Sequence, residues 1–367
     1  MNEIIITTVA VTGISAIFAL LLTLAERTIG NYGEVKLVIN EEKEYTVEGG
    51  SSLLSTLIEE KIFIPSACGG KGTCGYCKVK VLEGGGPVLA TEIPFMTEEE
   101  LADHVRLSCQ CKVKEDIKIE IPEELFNVKE FEAQVEELED MTAEIKRLRV
   151  RLPEGEEISF KPGQFIQLMA PKYEGNDEEV YRAYSIASSP LDKNHIELFI
   201  GYVPNGICTT YVHKHLKIGD KVKINGPYGD FYFNNDNDRE IILVAAGTGI
   251  APIISILKYM KTYDIKRKAT FYFGAKTPDD LFLLDFFKDL EETLYDFKYV
   301  PTLTRTTEEH NWQGETGRVN NAIDKYLENG ENKEAYLCGN MRMIETMVGA
   351  LVEKGLAEEL IYFDKFD

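Results

Sequence analysis

Residues 66–79 read SACGGKGTCGYCKV, and this stretch decides how the N-terminal part of the chain is interpreted. Cys68, Cys74 and Cys77 have the spacing C-x5-C-x2-C, and Cys109 follows far downstream in RLSCQ. Three neighbouring thiolates and one distant thiolate are typical of a [2Fe–2S] ferredoxin, although the first gap is one residue longer than the plant-type spacing. The intervening glycines let the backbone wrap closely around an inorganic core, and their amides can donate to its sulfurs.

A zinc site is the alternative for these cysteines, but it would be expected to use two C-x2-C pairs. Only one such pair is present, because Cys109 and Cys111 are too close together to form a second. The total of seven cysteines fits a disulfide framework poorly and favours a reducing compartment. We predict that Cys68, Cys74, Cys77 and Cys109 bind the cluster. We expect Cys111 to be a buried thiol that points away from Cys109 on a strand.

Secondary-structure patterns on both sides of the cysteines outline one compact unit. Alternating apolar residues predict strands over residues 34–39 and 117–121. A short amphipathic segment that begins after Ser51 or Ser52 suits a helix, because serine is a good N-cap. We therefore predict an α+β domain of the β-grasp ferredoxin type over residues 33–128.

The segment Ile4–Leu24 contains no charged residue. As a helix it would be about 31 Å long, close to the hydrocarbon thickness of a bilayer. The residues before it lack the cationic character of a signal peptide, although a signal peptide and a buried helix are alternatives. Arg27 follows the segment and favours that side as cytoplasmic. The sequence therefore predicts a single-pass anchor over residues 1–30 in the inner membrane, with the other domains on the cytoplasmic side.

The pattern changes twice in the remainder of the chain. Strands separated by Gly and Pro turns over residues 130–234 predict a small antiparallel β-barrel. Strands alternate with helices over residues 237–367, which predicts an α/β nucleotide-binding domain with a parallel sheet. The formal net charge of −22 disfavours nucleic acid as a partner, because an acidic surface repels phosphates.

The order of motifs along the chain resembles that of a known family. The apolar N-terminus, SACGGKGTCGYCKV, RLSCQ, RAYS, GPYG and AAGTGIAP follow one another as in the F subunits of the Na⁺-translocating NADH:quinone oxidoreductases. This resemblance implies an anchoring helix, a ferredoxin domain, an FAD-binding barrel and an NADH-binding domain. It also implies electron transfer from NADH through FAD and the [2Fe–2S] cluster to membrane subunits of a sodium-transporting, ubiquinone-reducing complex.

Two other functions are compatible with the motifs. The reductases of multicomponent oxygenases share the flavin and nucleotide domains and often the ferredoxin domain, but they lack the anchor. A ferredoxin-type electron carrier whose C-terminal half only docks is an alternative without enzymatic activity. Partition of the intact chain into the membrane would argue against an oxygenase reductase. The absence of bound flavin would favour the electron carrier.

Two short motifs in the barrel region resemble the flavin-binding motifs of ferredoxin reductases. In RAYS, Arg182 offers two contacts to a pyrophosphate and Tyr184 a flat face to the isoalloxazine ring. The hydroxyl of Ser185 is expected near flavin N5, the atom that receives the hydride. The second motif, GICTT, places Gly206, Thr209 and Thr210 at the FAD pyrophosphate; its alternative is a plain polar turn.

The nucleotide motif GTGIAP follows an apolar strand and opens a helix, where helix-end amides meet a pyrophosphate. Its predicted contacts are Gly247, Thr248, Gly249 and Pro252. In related reductases a Cys-Gly pair lies beside the nicotinamide ring, and a near-terminal aromatic covers the flavin. The resemblance therefore implies these roles for Cys338, Gly339 and Phe366.

Further residues bear on the choice between NADH and NADPH and on where this sequence departs from the family. After the strand that ends at Phe273 only Lys276 is cationic, and Asp279 and Asp280 follow, which favours NADH over NADPH. The loop before RAYS is shorter than in the family, and Asn340 stands where proline is common after Cys-Gly.

Overall fold

The computed structural model describes residues 8, 11–19 and 32–366 and divides the chain into two compact units, Met1–Val128 and Lys129–Asp367. Residues 8 and 11–19 are helical. Part of the predicted anchor Ile4–Leu24 lies outside the described residues. Within the described ranges, no helix combines the length and the apolar character needed to cross a bilayer.

The first unit is an α+β fold built on one mixed sheet. Its elements are β1 (Glu34–Ile39), β2 (Lys43–Glu48), α1 (Leu53–Glu59), β3 (Lys78–Glu83), α2 (Glu98–Ala102), β4 (Val105–Leu107) and β5 (Ile117–Glu120). The strand order is β2-β1-β5-β3-β4, in which only β1 and β5 pair in parallel. The helix α1 begins as the sequence predicts, because the side chain of Ser52 accepts a hydrogen bond from the N–H of Ser55.

The second unit begins with an antiparallel barrel. Its elements are β6 (Lys129–Asp140), β7 (Ile145–Arg151), β8 (Phe165–Ala170), β9 (Val180–Ser185), β10 (His195–Gly201), α3 (Ile207–Thr210) and β11 (Lys221–Tyr228). The strand order is β10-β7-β6-β11-β8-β9, with antiparallel pairing throughout. A bridge between Ile186 and Leu198 joins the two ends of the sheet, so the sheet curls into a barrel around an apolar interior.

The remainder of the second unit is a doubly wound α/β domain. Its elements are β12 (Glu240–Ala246), α4 (Ile250–Thr262), β13 (Ala269–Ala275), α5 (Leu284–Thr293), β14 (Phe297–Leu303), β15 (Glu315–Thr316), α6 (Val319–Tyr326), β16 (Lys333–Asn340), α7 (Met341–Glu353) and β17 (Ile361–Phe366). All strands are parallel, in the order β15-β14-β13-β12-β16-β17.

The strand β12 shows why this sheet is covered on both faces. Ile241 and Leu243 pack with α4 and α5, whereas Ile242 and Val244 pack with α6 and α7. Successive side chains point to opposite faces, so a strand buried on both faces has an uninterrupted apolar sequence. The carboxyl ends of the parallel strands meet at one edge, where ligands bind in folds of this kind.

Polar contacts hold the barrel against the α/β domain. The hydroxyl of Ser255 on α4 donates to the carbonyl of Ser188 (2.8 Å). The ammonium group of Lys258, one turn later, donates to the carbonyl of Ala187 (3.0 Å) and to the carboxylate of buried Glu197 (2.9 Å). A buried carboxylate needs such a partner, so this contact fixes how the two parts of the unit meet.

Candidate cofactor sites

The four predicted cluster ligands form two pairs of thiols. Cys74 donates a hydrogen bond to Cys68, and Cys77 donates one to Cys109. Within each pair the hydrogen bond lowers the pKa of the accepting thiol, Cys68 or Cys109, and raises that of the donating thiol. The pairs are neighbours, because a charge on Cys68 acts on Cys109.

Two pairs match the chemistry of a [2Fe–2S] cluster. A [2Fe–2S] cluster would be held by four protein thiolates, and the two neighbouring pairs of cysteines would supply them. A single zinc ion would need four side chains converging on one point. In the part of the chain that the structure describes, no three His, Cys, Asp or Glu side chains converge in that way. The two neighbouring pairs of thiols therefore fit the donor set of a [2Fe–2S] cluster.

Glycines shape the loop that carries the first three cysteines. Gly72 and Gly75 both have φ of +74°, which side-chain-bearing residues rarely adopt. A Cβ atom on Gly72 would lie 2.5 Å from Nε2 of Gln110, and one on Gly75 would lie 3.0 Å from the ring of Phe95. The same Gln110 amide lies 3.8 Å from Sγ of Cys109. The glycines thus allow the close packing around the cysteines that the sequence predicts.

A buried ion pair supports this region, and sequence reasoning missed it. Arg106 on β4 donates twice to Glu92 (2.7 and 2.6 Å), and both side chains are almost fully buried. Burial opposes ionisation of Glu92, but hydrogen bonds from Arg106 and from the backbone N–H groups of Leu89 and Leu107 outweigh it and lower the pKa of this carboxyl. A lone Glu and a lone Arg in polar sequence carry no signal that they pair in the interior.

Cys111 differs from its expected placement. It lies just after the turn of residues 108–110 that follows β4, and not on a strand, because that turn bends the chain at the proposed cluster ligand Cys109. Its Sγ atom lies 3.6 Å from the carbonyl of Gly85, and burial raises the pKa of its thiol. The prediction of a buried thiol is nevertheless confirmed, since Cys111 is 1% exposed.

The two flavin motifs are neighbours in the barrel. Arg182 and Tyr184 lie two residues apart on β9 and share one face, opposite Leu168 and Ile166 of β8. Tyr184 interacts with Cys208 in the GICTT motif, and the charge of Arg182 acts on both side chains. Burial raises the pKa of Tyr184 well above its usual value, so its hydroxyl stays protonated.

The GICTT motif forms a tight turn into the short helix α3. Gly206 is its N-cap, and a Cβ atom there would lie 2.6 Å from the hydroxyl oxygen of Thr209. That hydroxyl donates to the carbonyl of Val203 (3.1 Å), and the N–H of Thr210 donates to the carbonyl of Gly206 (2.9 Å). Glycine is needed here because of this close approach. Ser185 is the last residue of β9.

The short loop before RAYS packs against the second flavin motif. Tyr173 and Asn176 exchange backbone hydrogen bonds (3.0 and 2.8 Å), which folds the loop back on itself. The hydroxyl of Tyr173 donates to the carbonyl of Ile207 (2.8 Å), and its ring stacks on Tyr211 with centroids 6.0 Å apart. The shortened loop is thus tied to the helix that the GICTT motif opens.

A cavity of about 500 Å³ lies between the barrel and the carboxyl edge of the parallel sheet. Its wall includes the predicted residues Gly247, Thr248 and Phe366. Other lining residues come from the barrel, from the segments that follow four sheet strands and from α7: Thr142, Glu144, Ile145, Gly201, Tyr202, Lys276, Asp280, Thr304, Arg318, Asn340, Arg342 and Thr346. At the barrel wall, a Cβ atom on Gly201 would lie 3.2 Å from Cγ2 of Thr248, so the GTG loop directly abuts β10.

Three of the predicted residues do not line the cavity but lie behind its wall: Gly249, Cys338 and Pro252. A Cβ atom on Gly249 would lie 2.2 Å from the carbonyl oxygen of Cys338, so only glycine lets the GTG loop approach β16. Cys338 is fully buried, and burial raises the pKa of its thiol well above its usual value. Pro252 is buried in the first turn of α4, where the missing N–H is tolerated.

Asn340 has a structural role that explains its departure from proline. Its side chain accepts a hydrogen bond from the N–H of Met343 (3.0 Å) and caps α7. It also lines the cavity, opposite Phe366 in the β16–β17 register. Gly339 precedes it, and a Cβ atom there would lie 2.6 Å from Cε of Met343.

Sequence reasoning missed the charged residues Glu144, Arg318 and Arg342 in this cavity. Arg318 and Arg342 follow β15 and β16 closely, so their position after strands of a parallel sheet is a signal that could have identified them. Glu144 comes from the barrel, and no pattern within that domain shows which residues face the α/β domain.

Comparison with known families first defines the class of protein. Three family models match in order: a 2Fe-2S iron-sulfur cluster binding domain over residues 37–114, an oxidoreductase FAD-binding domain over 132–233 and an oxidoreductase NAD-binding domain over 243–348. The chain is therefore an oxidoreductase of the ferredoxin-reductase type with its own ferredoxin domain. The predicted cofactor classes and the main architecture of the three domains are confirmed.

Full-length relatives define the family. The F subunit of the Na(+)-translocating NADH-quinone reductase of Neisseria meningitidis serogroup B is 36% identical, with 99% of both chains covered. The corresponding protein of Serratia proteamaculans is 35% identical over 99% of both chains. The chain belongs to the family of these F subunits.

Solved structures show the same domain types. The Amycolatopsis cytochrome P450 reductase matches with a TM-score of 0.72 and 25% identity, covering 90% of this chain and 98% of that one. The ferredoxin reductase in carbazole 1,9a-dioxygenase matches with a TM-score of 0.69 and 25% identity, covering 91% and 99%.

Proposed function

We propose that this protein oxidises NADH and passes the electrons through FAD and a [2Fe–2S] cluster to the membrane subunits of a Na⁺-translocating NADH:quinone oxidoreductase. One observation carries the proposal: a single cavity is lined both by the flavin-type barrel and by the GTG loop of the nucleotide domain. A nicotinamide bound there lies beside the barrel that bears RAYS, as hydride transfer requires. The full-length relatives support the identity of the complex.

The cavity suggests how the chain orients the nucleotide. We assign the pyrophosphate to the GTG loop, whose amides open α4. The nicotinamide is assigned to the side of β16 and β17, where Phe366 lines the wall and Cys338 supports the loop from behind. Phe366 is 38% exposed, so its ring can move without unfolding the strand. In this proposal Gly339 has no side chain that would occupy the space beside Asn340.

The barrel residues hold the flavin in the same proposal. Arg182 binds the pyrophosphate, Tyr184 stacks on the ring system and Ser185 donates a hydrogen bond near N5. Gly206, Thr209 and Thr210 bind the pyrophosphate from the other motif. When bound, FAD supplies hydride acceptance and one-electron release, and the cluster supplies one-electron transfer onwards.

An anaerobic titration of the detergent-purified protein tests the proposal. NADH is expected to bleach the flavin absorbance and to produce a rhombic [2Fe–2S] signal by electron paramagnetic resonance, much faster than NADPH does. Protein that holds FAD and an intact cluster but is reduced by neither nucleotide would contradict the proposed donor. Protein with iron and no flavin would favour a simple electron carrier.

The membrane location is proposed on the apolar sequence of Ile4–Leu24 and on the name of the relatives' complex. The intact chain is expected in the membrane fraction, and a variant without residues 1–26 in the soluble fraction, because only this segment has the length and apolarity of an anchor. Immunoblotting of both fractions measures the distribution. Soluble intact chain would instead favour a reductase of the oxygenase type, a class to which one of the matched structures belongs.

A further inference from the structure

A carboxylate from the barrel reaches into the nucleotide cavity. Glu144 lies in the turn between β6 and β7, and its Oε2 atom is 2.8 Å from Nζ of Lys276. Both residues line the cavity. Lys276 is the first residue after β13, at the edge where doubly wound folds distinguish a ribose 2′-hydroxyl from a 2′-phosphate.

We infer that Glu144 is a specificity-determining residue that favours NADH over NADPH by pairing with Lys276. The inference rests on the proposed function, since it takes the cavity as the site of a nicotinamide dinucleotide. The sequence already predicts a preference for NADH over NADPH. The inference adds that the charge that decides this preference belongs to the barrel and not to the nucleotide domain. Lys276 alone would attract a 2′-phosphate, and Glu144 cancels that attraction.

The backbone of Glu144 is held in a defined turn. The hydroxyl oxygen of Thr142 accepts hydrogen bonds from the N–H groups of Glu144 (3.2 Å) and Ile145 (3.1 Å). The carbonyl of Glu144 accepts one from the N–H of Tyr202 (2.7 Å), which also lines the cavity. The carboxylate is therefore presented from a fixed backbone position, which reduces the entropy cost of keeping it beside Lys276.

The charges on this side of the cavity balance. The sheet order puts Lys276 and Arg318 on the side of β13 to β15, away from Phe366 on β17. If the nicotinamide lies near Phe366, the adenosine lies near these cations. Glu144 and Asp280 oppose them, and the carboxylate of Asp280 is held by the N–H and hydroxyl of Thr277 (both 2.8 Å). A 2′-phosphate would bring about two further negative charges to this side of the cavity, where two cations already face two carboxylates.

The variant Glu144→Gln tests the inference, because it keeps the side-chain shape and removes the charge. The ratio of kcat/KM for NADPH to that for NADH is expected to rise about tenfold, which corresponds to about 1.4 kcal/mol. Adding Lys276→Met to this variant is expected to remove the gain. Glu139→Gln is the matched control: this exposed glutamate of β6 pairs with Arg147 and does not line the cavity, so the ratio should stay at the wild-type value.

A binding measurement separates the inference from the proposed function. Isothermal titration calorimetry with 2′,5′-ADP and with 5′-ADP needs no hydride transfer. Glu144→Gln is expected to tighten 2′,5′-ADP about tenfold relative to 5′-ADP. An unchanged ratio of the two affinities would overturn the role of Glu144 while leaving NADH oxidation intact. Wild-type protein that binds neither compound and does not oxidise NADH would overturn the nucleotide cavity itself.

Discussion

Replacing Cys77 by Ser is expected to abolish the [2Fe–2S] signal and to leave reduction of the flavin by NADH in place. Cys77 is 1% exposed and belongs to the thiol pair with Cys109, so its loss leaves one iron with an incomplete ligand set. A serine hydroxyl does not replace a soft thiolate ligand well. Electron paramagnetic resonance of the dithionite-reduced protein measures the cluster, and anaerobic bleaching by NADH measures the flavin.

Cys111→Ser is the matched control for this experiment. Cys111 is as buried as Cys77, but its Sγ atom lies against the carbonyl of Gly85 rather than against a second thiol. The control should retain the signal of the wild-type cluster, even if the polar hydroxyl destabilises the core somewhat. A full signal in Cys77→Ser, or its loss in Cys111→Ser, would show that the ligands have been assigned incorrectly.

The proximity of the four proposed cluster cysteines could be predicted from the sequence because three of them are close together in the chain. Cys68, Cys74 and Cys77 lie within one glycine-rich loop, and the positive φ of Gly72 and Gly75 follows from the same stretch. Only Cys109 lies outside this loop in the sequence. The spacing of thiolates in a short loop limits the possible metal sites strongly, which explains why residues 66–79 carried so much of the prediction.

The barrel and the parallel sheet were predicted from patterns with a different physical origin. Strand β12 is apolar from its second residue onwards because both of its faces are buried, and β8 is likewise buried along its whole length. Gly and Pro turn residues mark the boundaries between the barrel strands, and these boundaries were sufficient to predict the class of fold. The closure of the barrel at Ile186 and Leu198 depends on strands distant in sequence, so it could be seen only in the structure.

Contacts between elements remote in sequence were beyond prediction. Glu92 and Arg106 form a buried pair, yet each looks like an ordinary surface residue in the sequence. Glu144 lies on the barrel but lines the nucleotide cavity, and Lys258 and Ser255 hold the barrel against α4. Cys338 was predicted from its family position, but its complete burial behind Gly249 follows from the packing of the GTG loop on β16.

The substitution Gly249→Ala is expected to slow reduction of the flavin by NADH strongly, because the GTG loop packs closely on β16. The new Cβ atom would lie 2.2 Å from the carbonyl oxygen of Cys338, and this neighbour is backbone in the central part of the sheet. Either the GTG loop or β16 must shift, and both border the proposed nicotinamide position. A misplacement of about 1 Å costs roughly 100-fold in rate, so reduction of the flavin by NADH is expected to slow by that factor. Stopped-flow absorbance measures the rate.

Gly349→Ala shows whether such an effect comes from the site or from the loss of any glycine. Gly349 lies in α7 with no atom within 4 Å of an added Cβ, so alanine there should leave the rate unchanged and stabilise the helix by about 0.5–1 kcal/mol. The cluster signal of dithionite-reduced Gly249→Ala should be that of the wild type, since the cysteines belong to the other compact unit. A wild-type rate in Gly249→Ala would mean that the GTG loop can withdraw from β16 without disturbing hydride transfer. The nucleotide would then be positioned by the charged side chains of the cavity rather than by the closeness of this loop.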